Sequence, residues 1–509
     1  MDSVERKAFC FFAVVLLVTA WTSYGYFGLD EHFQIIEFAG SKLGIVPTQN
    51  LPWEFLAEIR PWLQPAVFVG LCKSLGFLGI ENRFAWTFVF RLFCAVFGFL
   101  AVWKVYRLGT VWFPDKRVQR RHLWLCTTLG FLPFLLVRTS SENLSASFFT
   151  IAVCILLMRM NPMNPDTSTV PAWIWLFSGL LLGLAFEFRY QIVIMIGGLG
   201  LWLILYAKTR WKSILVWSIG FFMVCAIGMF ADQYGYGKRV FPFFNYFRVN
   251  LIEGKLTDFG TDPFYAYIYL MSSNIFAPIA LILFIATVAL WIRKPRHVLV
   301  WITLPFFLFH CFVGHKEFRY LFPLLPLILL IPHLVFLKDG RISLPDFFRR
   351  PFVKYAYKAI CLYNWIWLAL FCIYPFCVEP YIKHQRFIYN HRSNISTYYS
   401  VDYDPYRRKE LTYSFYRPEN LAVVEVADPA TLQAIAEQNP TNDIYFFSQM
   451  PFLENWPNAI EKRTELVNPC YFFFRWRWLL EFSTPILKSL HGRFDEVQCP
   501  SLFKIAARE

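Results

Sequence analysis

The stretch FAWTFVFRLFCAVFGFLAVWKVY, residues 84–106, sets the class of this protein. A transmembrane helix needs about 20 mostly apolar residues, and this stretch meets that requirement. Two further stretches, Ile275–Ile292 and Tyr320–Leu337, do so as well. Across all 509 residues, 57% are hydrophobic and only 17% are charged, whereas a soluble protein carries about a quarter charged residues. We therefore expect an all-α polytopic membrane protein.

The first apolar run, Ala8–Tyr26, follows the basic residues Arg6 and Lys7 and so has the start of a signal peptide. No small-residue cleavage site follows it, and Trp21 and Tyr24 are typical of the aromatic belt at a membrane surface. We interpret the run as a retained first helix.

The net charge of +14 would favour nucleic acid as the partner of a soluble protein. Here the basic residues lie mainly in short loops between apolar runs, which is the positive-inside pattern, and we expect no nucleic acid partner. With Lys7 on the cytoplasmic side, about eleven transmembrane helices place every basic loop on that side. The number of helices could differ by two, because Leu63–Ile80 and Phe264–Met271 could also enter the bilayer. The eleven are Ala8–Tyr26, Phe84–Tyr106, Leu123–Val137, Ser145–Leu157, Pro171–Ala185, Ile192–Tyr206, Ile214–Phe230, Ile275–Ile292, Val298–Val313, Tyr320–Leu337 and Ala359–Tyr374.

This orientation collects the polar turns on the extracytoplasmic side. They are Phe27–Pro61, Arg138–Asn143, Glu187–Gln191, Ala231–Tyr265 and His315–Arg319. Ionisable residues at helix ends that face one aqueous space indicate a functional site. The alternative is that they only cap helices at the interface.

The acidic segment Leu29-Asp30-Glu31-His32-Phe33-Gln34 directly follows the first apolar run. Two adjacent carboxylates repel each other, which favours the protonated form of one of them. Such a carboxylate suits a general base that takes a proton from a hydroxyl. The alternative is an acidic N-terminus of the following amphipathic helix, where the helix dipole favours negative charge.

Six elements, in order along the chain, resemble motifs of the glycosyltransferase family 22 mannosyltransferases, and the resemblance is closest to their third GPI mannosyltransferase branch. They are the acidic segment Leu29–Gln34; Trp53-Glu54-Phe55 with Ile59-Arg60-Pro61-Trp62 and Pro65; Arg138-Thr139 with Glu142 and Asn143; Phe188-Arg189-Tyr190-Gln191; Asp232–Gly237 with Asn245–Asn250 and Gly260–Pro263; and His315-Lys316-Glu317-Phe318-Arg319 with Pro323.

The resemblance implies a GT-C type glycosyltransferase fold. It also implies an extracytoplasmic active site that moves a sugar, by family mannose, from a polyprenyl (dolichyl) phosphate donor to a lipid-linked glycan such as a GPI precursor. An inverting transfer needs one base, and the family points to Asp30, with Glu31 as the alternative. Because the donor carries a single phosphate, we expect no metal and no cofactor.

The remaining candidate residues follow from the same motifs. Arginine presents a fork that matches phosphate oxygens, and cations at the leaving group stabilise its developing charge. The expected donor-phosphate ligands are His315, Lys316, Arg319 and Arg189, with Arg248 and Lys238 next. The expected substrate-binding residues are His32, Gln34, Trp53, Glu54, Arg60, Arg138, Glu142, Asn143, Gln191, Asn245 and Glu317.

The loop 27–83 contains two amphipathic segments, Phe33–Phe38 and Trp53–Trp62, that could lie flat at the membrane interface and meet membrane lipid. The alternative is that they cover the helix bundle.

The composition changes after residue 378, and we expect a transmembrane catalytic domain at 1–378 and a small extracytoplasmic α/β domain at 379–509. Within the tail, Ile444–Phe447 is predicted to be a strand. Cys470 and Cys499 could pair, but nothing in the sequence indicates that they do. None of the family's C-terminal motifs occurs in the tail, which leaves the acceptor open.

A transporter or lipid flippase without transferase activity is the main alternative function. Transporters often contain internal repeats and helices that are broken near the midplane. The sequence has no visible repeat, and its charges lie on one side. The host membrane stays open between the endoplasmic reticulum of a eukaryote and the inner membrane of a bacterium.

Overall fold

The computed structural model describes residues 2–160, 166–273, 276–335, 337–338, 341–342, 350–373, 380–448, 464–468 and 501–507, which are mostly helical. Its packing separates two compact units. The first comprises Met1–Ser23, Trp53–Leu78 and Phe88–Phe376, and the second comprises Tyr24–Pro52, Gly79–Thr87 and Cys377–Glu509. Each unit therefore combines segments that are distant in sequence. The predicted domains, 1–378 and 379–509, are consecutive, and the boundary between them stays a prediction. The predicted cysteine pair, Cys470 and Cys499, lies outside the described residues.

The first unit is almost entirely helical. Its α-helices are Ser3–Thr22, Trp53–Leu56, Leu63–Phe77, most of Arg83–Trp112, Lys116–Thr128, Leu132–Leu136, Ser141–Leu157, Ala172–Phe188, Val193–Leu205, Trp211–Tyr236, Pro242–Phe247, Ala266–Ser272, Ala277–Arg293, Val298–Phe312, Leu325–Ile328, Ile331–Val335 and Pro351–Ile373. Tighter or wider helical turns are Tyr190–Ile192, Arg248–Ile252, Lys255–Phe259 and Phe318–Leu324, and the short strands Leu337–Lys338 and Arg341–Ile342 pair antiparallel.

Three of the described helices are long and apolar enough to cross a membrane: Arg83–Trp112, Trp211–Tyr236 and Pro351–Ile373. The helices Ala277–Arg293 and Val298–Phe312 together pass the same test but meet at 117°, so a fourth span is possible by length. The predicted helical class is confirmed, while the count of eleven transmembrane helices stays a prediction.

The first helix, Ser3–Thr22, starts earlier than predicted. Asp2 caps it, because its Oδ1 accepts from the Glu5 backbone N–H at 2.8 Å while the Glu5 carboxylate accepts from the Asp2 N–H at 3.0 Å. Because of this reciprocal capping box, the helix begins before the apolar run and its first turns contain the charged residues Glu5, Arg6 and Lys7. The apolar part is correspondingly shorter than the helix itself.

The predicted span Tyr320–Leu337 is broken into three short pieces, which is a correction to the sequence analysis. The pieces are Phe318–Leu324, Leu325–Ile328 and Ile331–Val335. Prolines at 323, 326 and 332 interrupt the run. Each proline removes a backbone donor and clashes with the preceding turn, so one continuous α-helix is disfavoured there. Apolar content alone did not reveal this break.

Glycines allow two neighbouring helices of the first unit, Ala172–Phe188 and Trp211–Tyr236, to touch backbone to backbone. A methyl group at Gly179 would lie 2.0 Å from the Trp217 carbonyl oxygen, and one at Gly220 would lie 2.4 Å from the Leu176 carbonyl oxygen. Small residues of this kind let membrane helices approach closely. The contact at Gly179 lies near the middle of Ala172–Phe188, the helix that precedes Arg189.

The second unit combines short helices with a mixed sheet. Its helical segments are Leu29–Glu31, His32–Glu37, Phe38–Lys42, Thr48–Asn50, Pro380–Asn390 and Pro429–Gln438. The five-stranded sheet has the order Ala422–Glu425, Thr397–Ser400, Ile444–Ser448, Ser501–Ile505 and Thr464–Asn468, and Arg407–Arg408 pairs with Leu411–Thr412 in a separate sheet. The first three strands are parallel and the last two pairings are antiparallel.

The helix Pro429–Gln438 connects two parallel strands of that sheet, as parallel strands require. Its Leu432 and Ala436 are buried with Phe446 and Phe503 in one apolar core. The predicted strand at Ile444–Phe447 and the small α/β character of the tail are thus confirmed.

The glycine contact leads to a stability prediction. Gly179→Ala is expected to lower the free energy of unfolding by about 1–3 kcal/mol, the usual effect of overpacking, since backbone atoms must move apart. Thermal unfolding of the purified protein in detergent measures the change. The matched control is Gly197→Ala, because a methyl group there meets nothing within 4 Å. Equal melting temperatures for both variants would contradict the close backbone contact.

Candidate functional site

A carboxylate–arginine fork follows the helix Val298–Phe312, where Glu317 lies in the loop and Arg319 in the helical turn Phe318–Leu324. Arg319 donates from Nε to Glu317 Oε2 at 2.5 Å and from Nη2 to Glu317 Oε1 at 2.9 Å. The Tyr320 hydroxyl donates to the same Oε1 at 3.1 Å. Two parallel bonds hold the guanidinium in one orientation, which a single bond to lysine would not do.

Glu142 joins this fork to a second arginine. Its Oε1 lies 3.2 Å from Arg189 Nη2 and 3.8 Å from Arg319 Nη1, and Arg189 Nη1 donates to Ser141 at 3.3 Å. Glu142 is 1% exposed, and both arginines are buried. Charges so far from water persist only when they are paired, because breaking a buried pair leaves an uncompensated charge. Three polar turns separated in sequence therefore meet in one buried network within the first unit.

His315 extends the network towards solvent. Its Nε2 lies 3.5 Å from Glu317 Oε1. The hydrogen bond to Glu317 raises the pKa of His315 above its ordinary value of 6.5, although burial opposes this. Burial would raise the pKa of Glu317, but the charge of Arg319 and the bonds from His315 and Arg319 outweigh it and hold that pKa well below 4.5. Glu317 is thus ionised, and His315 binds a proton more readily than a free histidine.

Lys316 points away from this network. It is buried, and its ammonium donates to the carbonyl oxygens of Asp262 at 3.0 Å and of Val313 at 2.7 Å. The backbone N–H of Asp262 in turn donates to the Gly314 carbonyl at 2.9 Å. The bond to Asp262 therefore connects that segment to the loop that carries His315, while the bond to Val313 is made within the same stretch of chain.

A second group of predicted residues gathers around Tyr246, which the sequence analysis did not single out. Gln191 donates to its hydroxyl, and the Arg60 guanidinium lies 5.7 Å from its ring centre. Glu54 pairs with Arg60 at 3.8 Å. Arginine over an aromatic face is a favourable contact. The aromatic-rich run that contains Tyr246 was the available signal, but nothing in it distinguished this tyrosine from its neighbours.

Trp53, a predicted substrate-binding residue, belongs to the first unit and is partly buried. Its ring is near that of Phe259, at 6.3 Å between centroids, and the Lys255 ammonium lies 5.6 Å from it.

The two cations predicted as secondary phosphate ligands already have carboxylate partners. Lys238 pairs with Glu58, and Arg248 pairs with Glu253 at 3.3 Å; both cations are exposed. Asn245 donates to the Glu58 carbonyl at 3.2 Å. Glu58 has a φ of 55°, and non-glycine residues in this left-handed region cluster at functional sites. Glu58 is a residue that the sequence analysis missed, and the sequence carries no signal for its backbone conformation.

Arg138 and Asn143 hold the turn between Leu136 and Ser141. Arg138 is 1% exposed and donates to the backbone and, at 2.5 Å, to the hydroxyl of Ser23. Asn143 donates to the carbonyls of Leu136 at 2.9 Å and Arg138 at 2.7 Å. These bonds satisfy backbone groups that would otherwise be buried without partners. Both side chains thus position the start of the helix that carries Glu142.

The acidic motif belongs to the second unit and folds as a short helix, Leu29–Glu31, followed by a π-helix, His32–Glu37. Asp30 is half-buried, whereas Glu31 is 2% exposed and accepts from the Phe27 N–H at 3.2 Å. Of the two candidate bases, Asp30 is therefore the more accessible. Gln34 is buried in the π-helix.

The π-helix brings His32 and Glu37 together. His32 Nε2 lies 2.7 Å from Glu37 Oε1, and both side chains are almost completely buried. A π-helix bonds residues five apart, and these turns are frequent at functional sites. The spacing of five was visible in the sequence, but an α-helix would have placed the two side chains on different faces.

Glu37 is a further residue that the sequence analysis missed. The same Oε1 accepts from the backbone N–H groups of Ser414 at 2.9 Å and Phe415 at 3.1 Å. The His32 ring lies between Tyr413 and Tyr416, at 5.1 Å and 5.7 Å between centroids. One buried carboxylate thus binds the tail segment and orients the histidine of the acidic motif.

The amphipathic segment Phe33–Phe38 lies inside the second unit. Phe33, Ile36 and Phe38 are all buried. Their burial favours the alternative that this segment covers other parts of the protein over a position at the membrane interface.

Comparison with known proteins adds relatives to this geometry. Residues 7–393 match the Alg9-like mannosyltransferase family. The chain is 23% identical over 330 residues to "GPI mannosyltransferase 3" of Candida albicans, which covers 64% of this chain and 62% of the relative. It is 26% identical over 282 residues to "GPI alpha-1,2-mannosyltransferase 3" of Danio rerio, covering 54% and 49%. It is 24% identical over 345 residues to "Probable Dol-P-Man:Man(7)GlcNAc(2)-PP-Dol alpha-1,6-mannosyltransferase" of Schizosaccharomyces pombe, covering 63% and 57%.

Among solved structures, ArnT from Cupriavidus metallidurans bound to undecaprenyl phosphate aligns with 12% identity and a TM-score of 0.49, covering 100% of this chain and 99% of that one. The Archaeoglobus fulgidus oligosaccharyltransferase tethered with an acceptor peptide aligns with 12% identity and a TM-score of 0.46, covering 88% and 69%.

The chain spans about three-fifths or less of the length of the curated relatives described above. The family match, by contrast, runs through most of the chain, and it includes the acidic motif and every turn that contributes to the buried network. By sequence, the chain belongs to the Alg9-like mannosyltransferase family.

Proposed function

We propose that this chain transfers mannose from a polyprenyl-phosphate donor to a lipid-linked glycan. The observation that carries the proposal is the buried network of Arg189, Glu142, Arg319 and Glu317, with His315 at its edge. The family assignment indicates that the reaction at this network is mannose transfer. No observation favours the alternative function, a transporter.

The charge of the network suits a phosphate leaving group. Arg189, Arg319 and a protonated His315 are three cations, whereas Glu142 and Glu317 are two carboxylates. One positive charge therefore remains, and a phosphate anion would neutralise it. The carboxylates also hold both guanidinium groups in place before any substrate binds. Donors fixed in advance stabilise a developing charge without reorganisation at the moment of reaction.

The donor class is proposed from the relatives. The Schizosaccharomyces pombe relative is named for a Dol-P-Man donor, and the arginine-rich network supports a phosphate in that position. The donor phosphate itself would bind Arg189 and Arg319, with His315 as a proton-dependent third ligand. Because Lys316 is bonded to two carbonyls, we assign it to positioning the His315 loop.

The base is proposed to be Asp30. An inverting transfer needs one group that accepts the proton of the attacking hydroxyl, and that group must be reachable by the acceptor. Asp30 is half-buried, while Glu31 is buried and bonded to the Phe27 N–H. The pair of His32 and Glu37 would hold the start of the acidic motif in one conformation.

The acceptor is proposed to be a GPI-precursor-like glycan, as in the names of the Candida albicans and Danio rerio relatives. We further propose a GT-C fold with about eleven transmembrane helices and an active site on the extracytoplasmic side. This side follows from the basic loops, which the positive-inside rule assigns to the cytoplasm. The membrane would be the endoplasmic reticulum in a eukaryote and the inner membrane in a bacterium.

Removal of the base tests the proposal directly. Asp30→Asn keeps the size of the side chain but cannot accept the proton, so transfer is expected to fall by about 10²–10⁴-fold. Mannose transfer from dolichyl-phosphate mannose to lipid-linked glycan in membranes measures the loss. Glu31→Gln is expected to lose less, and Glu419→Gln, which changes an exposed carboxylate of the same unit, is the control. Undiminished transfer by Asp30→Asn would move the base to Glu31.

The arginine fork gives a second test. Arg319→Lys keeps the charge but loses the paired bonds to Glu317, so kcat is expected to fall by about 10²-fold, as when one oxyanion donor is removed. Steady-state kinetics with varied donor concentration separate kcat from KM. Arg407→Lys, at an exposed arginine of the tail, is the matched control. If both variants kept wild-type kcat and KM for the donor, the network would not be the phosphate site.

The pKa of His315 predicts a dependence of stability on pH. Because the folded-state pKa lies above the ordinary 6.5, the contribution of the protonated form is complete below pH 6.5 and is lost as the pH rises through the folded-state pKa. The effect is expected to stay below about 1 kcal/mol, because the histidine is only partly buried. The titration of Glu317 does not contribute in this pH range, because a carboxylate with a lowered pKa changes the stability only at acidic pH.

Melting temperatures of the wild type and of His315→Gln, taken across this pH range, measure the contribution. Their difference is expected to shrink as the pH rises. A difference that stays constant with pH would exclude a charged His315–Glu317 pair.

A further inference from the structure

An aromatic helical segment of the first unit, Phe241–Ile252, is not explained by the proposed transfer reaction. It follows the membrane-spanning helix Trp211–Tyr236, which ends at Gly237 in the left-handed conformation, with a φ of 73°. The chain turns there and continues as the α-helix Pro242–Phe247 and the π-helix Arg248–Ile252. We call Phe241–Ile252 the aromatic segment.

One face of the aromatic segment is apolar and open. Its members recur at helical spacing and are all exposed: Phe241, Phe244, Phe247, Leu251 and Ile252. Phe244 is 66% exposed and Ile252 is 70% exposed. Exposure of such apolar side chains to water is unfavourable, and the hydrophobic effect favours their burial. A contiguous apolar patch of this kind marks an interaction surface.

The opposite face is held against the first unit, so the apolar face cannot turn inward. The Phe243 ring lies 5.4 Å from the rings of Phe186 and Tyr190. Tyr246 accepts from Gln191, and Asn245 donates to the Glu58 carbonyl. Val249 and Asn250 are buried as well. The orientation of the exposed stripe is therefore set by packing.

The aromatic segment directly follows an apolar helix that is long enough to cross a membrane, which indicates lipid as its partner. The last turns of the preceding span carry Phe230, which is 74% exposed, and Tyr234, which is 45% exposed. Exposed apolar or aromatic side chains are therefore present both in the last turns of this helix and, after the turn at Gly237, in the aromatic segment. Helices that lie in the membrane interface combine such an apolar face with cationic residues.

Cations accompany the stripe. Lys238 and Arg239 directly precede it, Arg248 lies within it and Lys255 follows it. Glu58, Glu253 and Asp258 pair with three of these cations, and no ion pair is seen for Arg239 among the described residues. The long stem of Arg248 can lie along apolar surface while its charged end reaches the head groups. Cationic residues beside an apolar face are typical of helices that lie in the membrane interface.

We propose that the aromatic segment lies in the membrane interface, with its stripe of Phe241, Phe244, Phe247, Leu251 and Ile252 among the acyl chains of the bilayer. This surface lies outside the network assigned to the donor phosphate. The occupant is bulk phospholipid, and the proposal does not depend on the transferase reaction.

Photo-cross-linking of the full-length protein in vesicles tests the proposal. Benzoylphenylalanine replaces Phe244 in one variant and the adjacent Phe243 in another, and the vesicles contain phosphatidylcholine and phosphatidylglycerol. Mass spectrometry then identifies the adducts. Phe222, which is 65% exposed in the membrane-spanning helix, is the positive control for lipid adducts.

Phospholipid adducts several-fold more abundant at position 244 than at position 243 are expected, since the Phe243 ring packs against Phe186 and Tyr190 and is less exposed than Phe244. Lipid adducts at position 222 but none at position 244 would overturn the proposal. It would also be overturned if position 244 formed adducts only with added polyprenyl phosphate, which would make the stripe a site for the donor's chain, or only with a second protein chain.

Discussion

One carboxylate oxygen, Oε1 of Glu142, lies 3.2 Å from Arg189 and 3.8 Å from Arg319, and all three side chains are buried. Each of them belongs to a different polar turn of the first unit. Removing one member of such a buried set leaves a charge without a partner, which costs about 3–5 kcal/mol. The three turns are therefore energetically linked, and the loop with His315 and Glu317 is held through Arg319. The proposed phosphate binding depends on this arrangement, because Glu142 holds the guanidinium groups of Arg189 and Arg319 in fixed positions before the substrate binds.

The second unit has a comparable centre in Glu37. Its buried Oε1 is within hydrogen-bond distance of the His32 ring and accepts from two backbone N–H groups of the tail, at Ser414 and Phe415. The π-helix makes this possible, because residues five apart then lie on one face. The tail is consequently part of the framework that holds the acidic motif, although it carries no motif of the family. A divergent tail can serve this purpose because backbone amides, not particular side chains, contact Glu37.

The membrane-spanning architecture shows how far an apolar pattern can be interpreted. The stretch at 84–106 became part of one long helix, Arg83–Trp112, whereas the equally apolar Tyr320–Leu337 became three short pieces. Prolines account for the difference, since each removes a backbone donor and obstructs the preceding turn. Glycines act in the opposite direction at Gly179 and Gly220, where the absence of a side chain allows two helices to touch. Neither effect can be predicted from the apolar length of the run, because both act through backbone geometry.

The sequence by itself determined the class of this protein, the family and the residue types of the candidate site. Apolar length requires helices in a bilayer, because lipid cannot satisfy backbone polar groups. The ordered motifs identified Asp30, Arg189 and Arg319. Only the tertiary structure decided which of these side chains meet. It paired Glu142 with two distant arginines, bonded Lys316 to carbonyl groups, and brought in Glu37 and Glu58, which no motif had indicated, and Tyr246, which a motif contained but did not single out. The physical reason is that periodicity and spacing describe neighbours along one element, whereas ion pairs and ring contacts between turns depend on packing.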